Sequence, residues 1–420
     1  MQSNWEIKRI SDICEYHNNK RVPLKSIDRA KRQGSYPYYG ASGIVDSIDD
    51  YIFDGTYLLI SEDGENLRSR KTPIAFKATG QFWVNNHAHI LAEKEEGILD
   101  YLEYYFSCLS LTPYLTGAVQ PKLSKQSLEA IEIPVPPLED RLKINEILNS
   151  FTHKISNNKA MNQTLEKLAQ RIFKSWFIDF DPVKANKEGL PFDGLSPEIQ
   201  ALFPSEFEDS ELGMIPKGWS AGKFEDLAMS IATGGTPKRS ETSYWNEGIV
   251  PWLSSGEVKS GIATSTKECI TELGLSKSAA KLWGKNTVVI AMYGATAGEV
   301  CLLGLAMTTN QACCGLTPHE HSRSYLFLAA RNEKTKLVSK ASGAAQQNLN
   351  KGLIASHPYV IPSDDILVNF EKVVTPLIEK WMDNEFQNRT LSSLRDRLLP
   401  KLISGQISVG EATQELAEAV

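Results

Sequence analysis

Basic side chains, followed by tyrosines and small residues, are concentrated in residues 18–43. Lysine and arginine are the residues that meet phosphate groups, and planar or small polar side chains beside them can approach base edges. The stretch holds six basic residues and one acid, Asp28. We therefore predict a nucleic-acid face here, with a solvated surface helix as the alternative. The predicted contact residues are Lys20, Arg21, Lys25, Arg29, Lys31, Arg32, Tyr38, Tyr39 and Ser42.

Basic and polar residues elsewhere in the chain extend this prediction. Trp252 can be interpreted as a core residue or as a contact, and the core is favoured. Gln346 and Asn348 carry amides that could hold adenine through two hydrogen bonds, although their repetition earlier in the chain fits a structural turn equally well. The further predicted contacts are Arg68, Arg70, Lys71, Lys238, Arg239, Trp252, Ser254, Tyr293, Gln346 and Asn348.

No pattern of catalytic residues accompanies these basic stretches. The sequence has no GxxxxGK[ST] phosphate loop, no GxGxxG motif that opens a helix, no GxSxG elbow and no HExxH zinc motif. The six cysteines form no CxxC pair and have no histidine at zinc-site spacing, so we predict reduced structural thiols. We expect no catalytic residue, no metal and no cofactor in this chain.

The formal net charge of -6 conceals an uneven distribution of acidic residues. Residues 179–213 hold nine acids and two bases, and the last fifteen residues hold three acids and no base. Without those two stretches the remaining chain carries +4, which is compatible with phosphate binding. No apolar run approaches the roughly 18 residues that span a bilayer, and the first residues lack the apolar core of a secretory signal. A cytoplasmic location and no membrane partner are expected.

The two halves of the sequence repeat each other. GAVQPKLSK at residues 117–125 returns as GAAQQNLNK at residues 343–351, 226 positions later. From Gly117 onward this distance stays constant for more than fifty residues, whereas it varies before that point. A variable globular unit is therefore followed by an element of constant length in each half.

Earlier segments repeat with less regular spacing. YLLISEDG at 57–64 matches TVVIAMYG at 287–294, and both are typical of a buried strand that enters a glycine turn. NNHAHIL at 85–91 is matched with TNQACCG at 309–315. Asn86 and Asn310 then correspond, and a structural role is favoured for both.

The element of constant length is predicted to be a long helix. After IPVPPLEDR at 133–141 the prolines stop, and apolar residues recur alternately four and three apart, as in a coiled-coil seam. The same seam returns 226 residues later with polar asparagine at the same two positions. An amide in a seam must find another amide or stay buried without a partner, so it specifies register at a cost in stability. The predicted register residues are Asn158, Asn162, Asn384 and Asn388.

Two such helices in one chain are natural partners. Each has about 40 residues and is therefore about 60 Å long at 1.5 Å per residue. A unit that pairs with its own copy favours two-fold symmetry, which makes the helices antiparallel with one globular unit at each end. Pro376 lies inside the second helix and is predicted to kink or break it.

Four segments of the sequence carry a resemblance to a known family. They are YPYYGASG at 36–43, IPVPPLEDRLKINEIL at 133–148, LAQRIFKSWFIDFDPVKA at 168–185 and YWNEGIVPW at 244–252. In this order, and with the duplication, they resemble the specificity subunit of type I restriction-modification enzymes. Each motif is loose when taken alone, but their arrangement is specific and the resemblance covers almost the whole chain.

The resemblance implies a fold and a domain organisation. The fold class is α+β, with two pseudo-two-fold-related mixed α/β target recognition domains separated by an antiparallel two-helix coiled coil. The implied domains are target recognition domains at 1–136 and 215–362, conserved helices at 137–178 and 363–404, an acidic linker at 179–214 and a tail at 405–420.

The resemblance also implies a function and partners. Family members bind a bipartite, asymmetric site in double-stranded DNA, one half-site per recognition domain, and direct adenine N6 methylation and DNA cleavage by other subunits. The implied partners are two modification subunits that carry S-adenosylmethionine and restriction subunits that use ATP and Mg. Two alternatives stay open: the reading subunit of a stand-alone methylation system, and a two-headed coiled-coil scaffold that binds no DNA.

Overall fold

The computed structural model describes residues 5–117, 119–340 and 348–419. The chain divides into two compact units, which we call the first unit and the second unit. The first unit comprises Met1–Ile155 and Thr390–Val420, and the second unit comprises Ser156–Arg389. Each unit therefore contains the β-rich part of one half of the sequence together with parts of both long helices.

Strands and helices alternate irregularly along the described residues. The strands are β1 (Glu6–Lys8), β2 (Cys14–Tyr16), β3 (Gln33–Gly40), β4 (Gly43–Ile48), β5 (Phe53–Ser61), β6 (Ala75–Val84), β7 (Ala88–Glu93), β8 (Ile133–Val135), β9 (Phe207–Ser210), β10 (Gly213–Pro216), β11 (Ser220–Lys223), β12 (Ala228–Thr233), β13 (Val250–Leu253), β14 (Ile262–Ala263), β15 (Glu268–Ile270), β16 (Val288–Ala291), β17 (Val300–Leu303), β18 (Thr308–Thr309), β19 (Cys313–Pro318) and β20 (Pro358–Ile361). The helices are α1 (Ile10–Ile13), α2 (Ser26–Ala30), α3 (Asn66–Ser69), α4 (Ile98–Cys108), α5 (Lys125–Glu129), α6 (Leu138–Phe177), α7 (Asp181–Glu188), α8 (Pro197–Gln200), α9 (Glu272–Ser276), α10 (Arg323–Asn332), α11 (Lys334–Ser339), α12 (Lys351–Ala355), α13 (Asp364–Ile403) and α14 (Val409–Ala419).

The first unit is built on a six-stranded sheet in the order β2-β7-β5-β6-β3-β4. Neighbouring strands are antiparallel except β3 and β6, which are parallel. Leu58, Leu59 and Ile60 of β5 are all buried, because successive side chains of a strand point to opposite faces and both faces are covered. Leu58 and Ile60 share a core with α4, whereas Leu59 packs with aromatic residues on the other face.

The second unit repeats this arrangement. β16 lies between β17 and β19, as β5 lies between β6 and β7, and β13 pairs in parallel with β18, as β3 does with β6. The helix that packs on the sheet also makes an equivalent hydrogen bond in each unit. The hydroxyl of Tyr101 in α4 donates to the Pro134 carbonyl, and that of Tyr325 in α10 donates to the Val360 carbonyl, each over 2.5 Å. The mixed α/β fold of two repeated units is thereby confirmed.

The repeated segments at 117–125 and 343–351 each end where a helix begins. The Ser124 hydroxyl accepts a hydrogen bond from the Ser127 backbone N–H over 3.0 Å, and the Asn350 side chain accepts one from the Leu353 N–H over 2.9 Å. Serine and asparagine are good N-cap residues because their oxygens satisfy a free N–H of the first helical turn. The two motifs therefore start α5 and α12 at equivalent positions.

Strand pairing changes one detail of the repeat alignment. β7 begins at Ala88 and β19 at Cys313, and each pairs there with the last residue of the central strand. Asn85 therefore corresponds to Asn310, whereas the sequence comparison matched Asn85 with Thr309. That match was wrong by one residue, because hydrogen-bond register rather than residue identity determines which positions are equivalent.

The long helices α6 and α13 have 40 residues each, as expected. In the second unit the Asn162 side chain donates to Glu385 over 2.8 Å, and the rings of Trp176 and Phe370 lie 5.5 Å apart. Residue numbers thus rise along α6 while they fall along α13, so the helices are antiparallel here. In the first unit Leu148 of α6 and Leu402 of α13 are buried in one core.

The helix break predicted at Pro376 is absent, because α13 continues without interruption through that residue. Proline removes one backbone donor and leaves the carbonyl four residues earlier, at Lys372, without its helical partner. Both Pro376 and Lys372 are exposed, so water can bind this carbonyl. The helix tolerates the proline on its solvent face.

The acidic segment 179–214 is part of the second unit. It contains α7, α8, β9 and the first residues of β10, which pairs antiparallel with β9. Val183 and Phe203 are buried within the main core of that unit. Ile215, directly after the segment, is also buried. The predicted linker is therefore a folded element, some of whose apolar residues pack inward while most of its acids are exposed.

Candidate nucleic-acid interface

Four loops of the first unit meet beside the C-terminal end of β5. We call residues 41–43, 62–65, 85–87 and 119–123 the first loop cluster. Glu62 N–H donates to the His87 carbonyl over 2.9 Å, and Leu123 N–H donates to the Glu62 carbonyl over 2.8 Å. The Ser61 hydroxyl donates to the carbonyl of Ala41. These bonds join the loops into one surface of defined geometry.

Glu62 is a partly buried acid of this cluster, with 14% of its side chain exposed. Arg21 donates to its carboxylate over 2.6 Å, and the Lys122 ammonium lies 3.4 Å from it. Burial opposes ionisation, but the hydrogen bond from Arg21 and the nearby positive charges hold the pKa of Glu62 below its ordinary value. Arg21 also donates to the carbonyls of Asn86 and Ala88 over 3.2 and 2.9 Å. Arg21, a predicted contact residue, thus holds the cluster together.

His89 is a buried structural residue next to Glu62. Its Nε2 lies 2.8 Å from the Leu123 carbonyl, and its Nδ1 lies 3.0 Å from the Asn18 amide nitrogen. A carbonyl only accepts, so Nε2 carries the hydrogen and Nδ1 accepts from Asn18. Burial lowers the pKa of His89, which favours this neutral ring.

His87 is the exposed imidazole of the first loop cluster. Its Nδ1 lies 2.9 Å from both carboxylate oxygens of Asp63, and its backbone N–H donates to the Asn85 side chain over 2.8 Å. Because a carboxylate accepts hydrogen bonds, Nδ1 carries the hydrogen. The side chain is 47% exposed, and Nε2 has no hydrogen-bond partner among the described residues. The ring therefore presents this nitrogen to solvent in a fixed orientation.

The exposed positions among the predicted contacts of the first unit are mostly lysines. They are Lys20, Lys25, Lys31, Ser42, Arg68 and Lys71. Long, mobile lysine side chains suit phosphate contacts, which need charge more than fixed geometry. Arg68 also donates to the Gly117 carbonyl over 3.1 Å.

Two predicted arginines of the first unit are paired with acids. Arg29 donates to Asp46 over 2.7 Å, and Arg32 donates to Asp49 over 2.9 Å. The hydrogen bond from Arg29 holds the pKa of the Asp46 carboxyl below its usual range. Both arginines connect the segment around α2 to the β4 hairpin, so their first role is structural.

Tyr38 and Arg70 are corrections to the predicted contact set. Tyr38 is 1% exposed, and its hydroxyl accepts from the Leu24 N–H over 2.9 Å, so the ring belongs to the core. Arg70 donates to the Ser107 carbonyl over 2.9 Å and to that of Leu109, which satisfies the C-terminal carbonyls of α4. Tyr39 is half-buried, and burial raises the pKa of its hydroxyl.

The second unit has an equivalent surface. We call residues 234–236, 254–257, 292–296, 310–312 and 348–350 the second loop cluster. Met292 N–H donates to the Ala312 carbonyl over 2.7 Å, and Leu349 N–H donates to the Met292 carbonyl over 2.9 Å. These bonds repeat those of Glu62 in the first unit. Met292 thus occupies the position of Glu62, and Ala312 occupies that of His87.

Neutral polar groups are exposed on the second loop cluster. The Thr236 hydroxyl donates to the side-chain carbonyl of Gln311, which turns the amide nitrogen of Gln311 away from it. Gln311 and the predicted contact Tyr293 are exposed. Asn348 is also exposed, whereas Gln346 lies outside the described residues.

Arg239 is held between two tryptophans. Its guanidinium carbon lies 3.7 Å from the Trp245 ring centroid and 4.7 Å from that of Trp252. Two guanidinium nitrogens donate to Glu268 over 2.6 and 2.9 Å, and these bonds hold the pKa of Glu268 below its ordinary value. Arg239 therefore has partners within the fold of this region although its side chain is 51% exposed. Its neighbour Lys238 is exposed as well.

Trp252 and Ser254 also serve the fold of the second unit. Trp252 is 3% exposed, and its indole N–H donates to the Gly235 carbonyl over 3.1 Å. Trp252 therefore belongs to the core, the interpretation that the sequence favoured, and its inclusion among the predicted contacts is corrected. The half-buried Ser254 hydroxyl donates to Glu257 over 2.6 Å at the start of a helical turn.

The predicted register asparagines are all buried between the long helices. The Asn384 amide donates to the Asn162 side-chain carbonyl over 2.8 Å. Asn158 donates to Gln387 over 3.3 Å, while the Asn388 amide has no hydrogen-bond partner among the described residues. One amide pair of the predicted kind therefore forms in the seam.

Sequence reasoning missed several residues of the loop clusters, including Asp63, His87 and Gln311. The available signal was the repeat of NNHAHIL and TNQACCG, which marks equivalent turns in the two halves. Contact between Asp63 and His87 depends on strand pairing, and no spacing rule reveals it.

The part of the chain that the structure describes contains no group of three or more histidine, cysteine, aspartate or glutamate residues arranged to hold a metal ion. None of its helices combines the length and apolar character that crossing a membrane requires.

Comparison with known proteins identifies the family. The model of the type I restriction modification DNA specificity domain matches residues 2–167 and 216–372. The chain is 26% identical to the MjaIX type I restriction enzyme specificity subunit of Methanocaldococcus jannaschii, across 97% of this chain and 94% of that protein. It is 28% identical to the HindI specificity subunit of Haemophilus influenzae, across 68% of this chain and 71% of that protein.

A solved structure shares the fold. The crystal structure of the type I restriction-modification S subunit from M. genitalium superposes with a TM-score of 0.66 at 14% sequence identity, covering 96% of each chain. With two matched specificity domains on two repeated units, this chain belongs to the family of type I restriction-modification specificity subunits.

Proposed function

We propose that this chain reads a bipartite, asymmetric sequence in double-stranded DNA, one half-site per unit, and thereby directs adenine N6 methylation and DNA cleavage by partner subunits. The observation that carries the proposal is the pair of loop clusters, which share backbone hydrogen bonds at equivalent strand ends but differ in side chains. Base edges are distinguished by side-chain donors and acceptors. Equivalent surfaces with different side chains suit two half-sites of different sequence.

The two clusters differ in chemical character. The first contains Glu62, Lys122 and the His87 imidazole, whereas the second has Met292 and Ala312 at the positions of Glu62 and His87. Two surfaces with different side chains at equivalent positions would select different base patterns. The exposed lysines would meet phosphates, which fixes the position of each unit on DNA without conferring sequence preference.

The chain would act with partners and perform no chemistry itself. Membership of the specificity family supports two modification subunits, which would hold S-adenosylmethionine, and restriction subunits, which would use ATP and Mg. The assembly would work on chromosomal DNA in the cytoplasm. Asn158, Asn162, Asn384 and Asn388 would fix the register of the long helices.

Methylome mapping tests the proposal. The chain is co-produced with its modification subunits in a host that lacks adenine methylation, and methylated adenines are mapped by single-molecule sequencing. We expect one bipartite motif with a gap of constant length, and no methylation when this chain is omitted. A continuous motif, or methylation without sequence preference, contradicts the proposal.

A chimera tests the assignment of one half-site to each unit. Residues 215–362 are replaced by the corresponding segment of a relative that reads another target. One half-site should change while the other half-site stays the same. A change in both half-sites would show that the units do not read independently.

A further inference from the structure

We propose that His87, oriented by Asp63, is a specificity-determining residue of the first unit. Its Nε2 accepts a hydrogen bond from the exocyclic amino group of adenine or cytosine in the half-site that this unit reads. This inference rests on the proposed DNA-reading function. It adds which atom of the protein contacts the base and which class of base it contacts.

The imidazole is oriented before any ligand binds. Asp63 holds Nδ1 at 2.9 Å through both carboxylate oxygens, and Asn85 binds the backbone N–H of the same histidine. Asp63 is itself fixed, because its backbone forms a bridge to Lys122 and its neighbour Glu62 is bonded to Arg21. A side chain that is already ordered loses little entropy on binding, which favours its use in recognition.

The hydrogen on Nδ1 determines which groups the outer nitrogen can recognise. In the neutral ring, Nε2 is an acceptor, and a phosphate oxygen cannot donate to it. In the major groove the donors are the N6 amino group of adenine and the N4 amino group of cytosine. A fixed acceptor therefore suits base reading rather than phosphate binding.

Most other polar side chains around His87 already have internal partners. Arg21 is bonded to Glu62 and to two carbonyls, and the Asn85 side chain accepts from the His87 N–H. The half-exposed Lys122 lies near Glu62 and can reach a phosphate. The His87 imidazole thus combines exposure with a fixed direction.

The second unit has no imidazole at the position equivalent to His87. Ala312 takes the position of His87, since its carbonyl accepts from Met292 N–H as the His87 carbonyl accepts from Glu62 N–H. Substitution of His87 should therefore alter one half-site and leave the other half-site unchanged.

The test uses the full chain assembled with its modification subunits, and the readout is the methylated motif. His87→Ala should make one position of one half-site degenerate. The preference for adenine or cytosine over other bases at that position should fall roughly five- to tenfold, the effect of losing about one base contact. His87→Gln, which retains a planar polar group, should change the preference at the same position.

Asp63 is tested as a positioning residue. Asp63→Ala should reproduce part of the His87→Ala effect at the same position, whereas Asp63→Asn should restore the wild-type motif because its side-chain oxygen also accepts from Nδ1–H. A purely structural role for Asp63 would lower thermal stability without altering that position. His153→Ala, at an exposed histidine on α6, is the control and should leave the motif unchanged.

The outcomes separate this inference from the proposed function. Absence of a bipartite motif in the wild-type assembly would reject the function itself. A bipartite motif that His87→Ala and His87→Gln leave intact would overturn the inference alone. Relaxation at a guanine or thymine, or a uniform loss of methylation with an unchanged motif, would also overturn it, since these point to a donor or to a phosphate contact.

Discussion

Replacement of Asn162 by alanine tests whether buried amides specify the pairing of the long helices. Asn162 accepts from Asn384 and donates to Glu385, each over 2.8 Å. Asn384 is 0% exposed, and its side-chain oxygen already has no hydrogen-bond partner among the described residues. The substitution would therefore leave the whole Asn384 amide buried without a partner.

The size of the effect follows from this geometry. A buried polar group without a partner costs about 1 to 3 kcal/mol. Alanine is the better helix former by about 0.5 kcal/mol, which offsets part of that cost. We expect Asn162→Ala to lower the free energy of unfolding of the second unit by about 1 to 2 kcal/mol. The double variant Asn162→Leu/Asn384→Leu removes both amides and should be at least as stable as the wild type.

The assay is urea denaturation of the full chain, with hydrogen exchange measured by mass spectrometry across α6 and α13. Asn157→Ala is the matched control, because Asn157 is exposed on the same helix. It should change stability by less than about 0.5 kcal/mol. The reasoning fails if Asn162→Ala behaves like Asn157→Ala, or if the double leucine variant is less stable than Asn162→Ala.

Three further predictions concern the first unit. Arg70→Ala should lower its unfolding free energy by about 1 to 2 kcal/mol, because carbonyls at the end of α4 lose their donor, and hydrogen exchange should rise in that helix; unchanged exchange there would contradict the capping role. The pKa of Glu62 is lower in the folded than in the unfolded chain, so its stabilising effect is present above the unfolded value of about 4.3 and is lost as pH falls through the folded value. Acid denaturation of Glu62→Gln should accordingly be less steep than that of the wild type, and equal steepness would argue against the depressed pKa. Replacement of Lys20, Lys25 and Lys31 by glutamine should reduce the slope of log affinity against log salt by about 0.9 for each lysine that meets a phosphate, with an unchanged methylated motif; an altered motif would assign these lysines to base reading.

Repetition allowed the sequence to predict much of the architecture. The constant spacing of 226 residues indicated two long helices of equal length, and the seam with paired asparagines indicated their association. Both features can be recognised in the order of residues alone, and the short period of the seam maps directly onto a helix face. For the β-rich parts only the fold class was predicted, because no local pattern in the sequence specifies which distant strands pair.

The candidate site was predicted less well for the same physical reason. Basic composition identified exposed lysines, but it could not separate them from Arg29, Arg70 and Arg239, whose partners come from other strands and helices. A guanidinium can bind DNA or satisfy buried carbonyls and carboxylates of its own chain. Which of these groups lies within hydrogen-bond distance of the guanidinium determines its role.

The sequence alone shows that the chain is a duplicate, where its long helices lie, and which family it resembles. A repeat and a helical period can both be recognised in the order of residues without knowledge of their contacts. The tertiary structure decided which side chains face solvent. Asp63 and His87 are 24 residues apart in the chain, yet they form one site because antiparallel pairing of β5 with β7 brings the ends of those strands together. Such contacts depend on strand register, which arises only when the whole sheet forms.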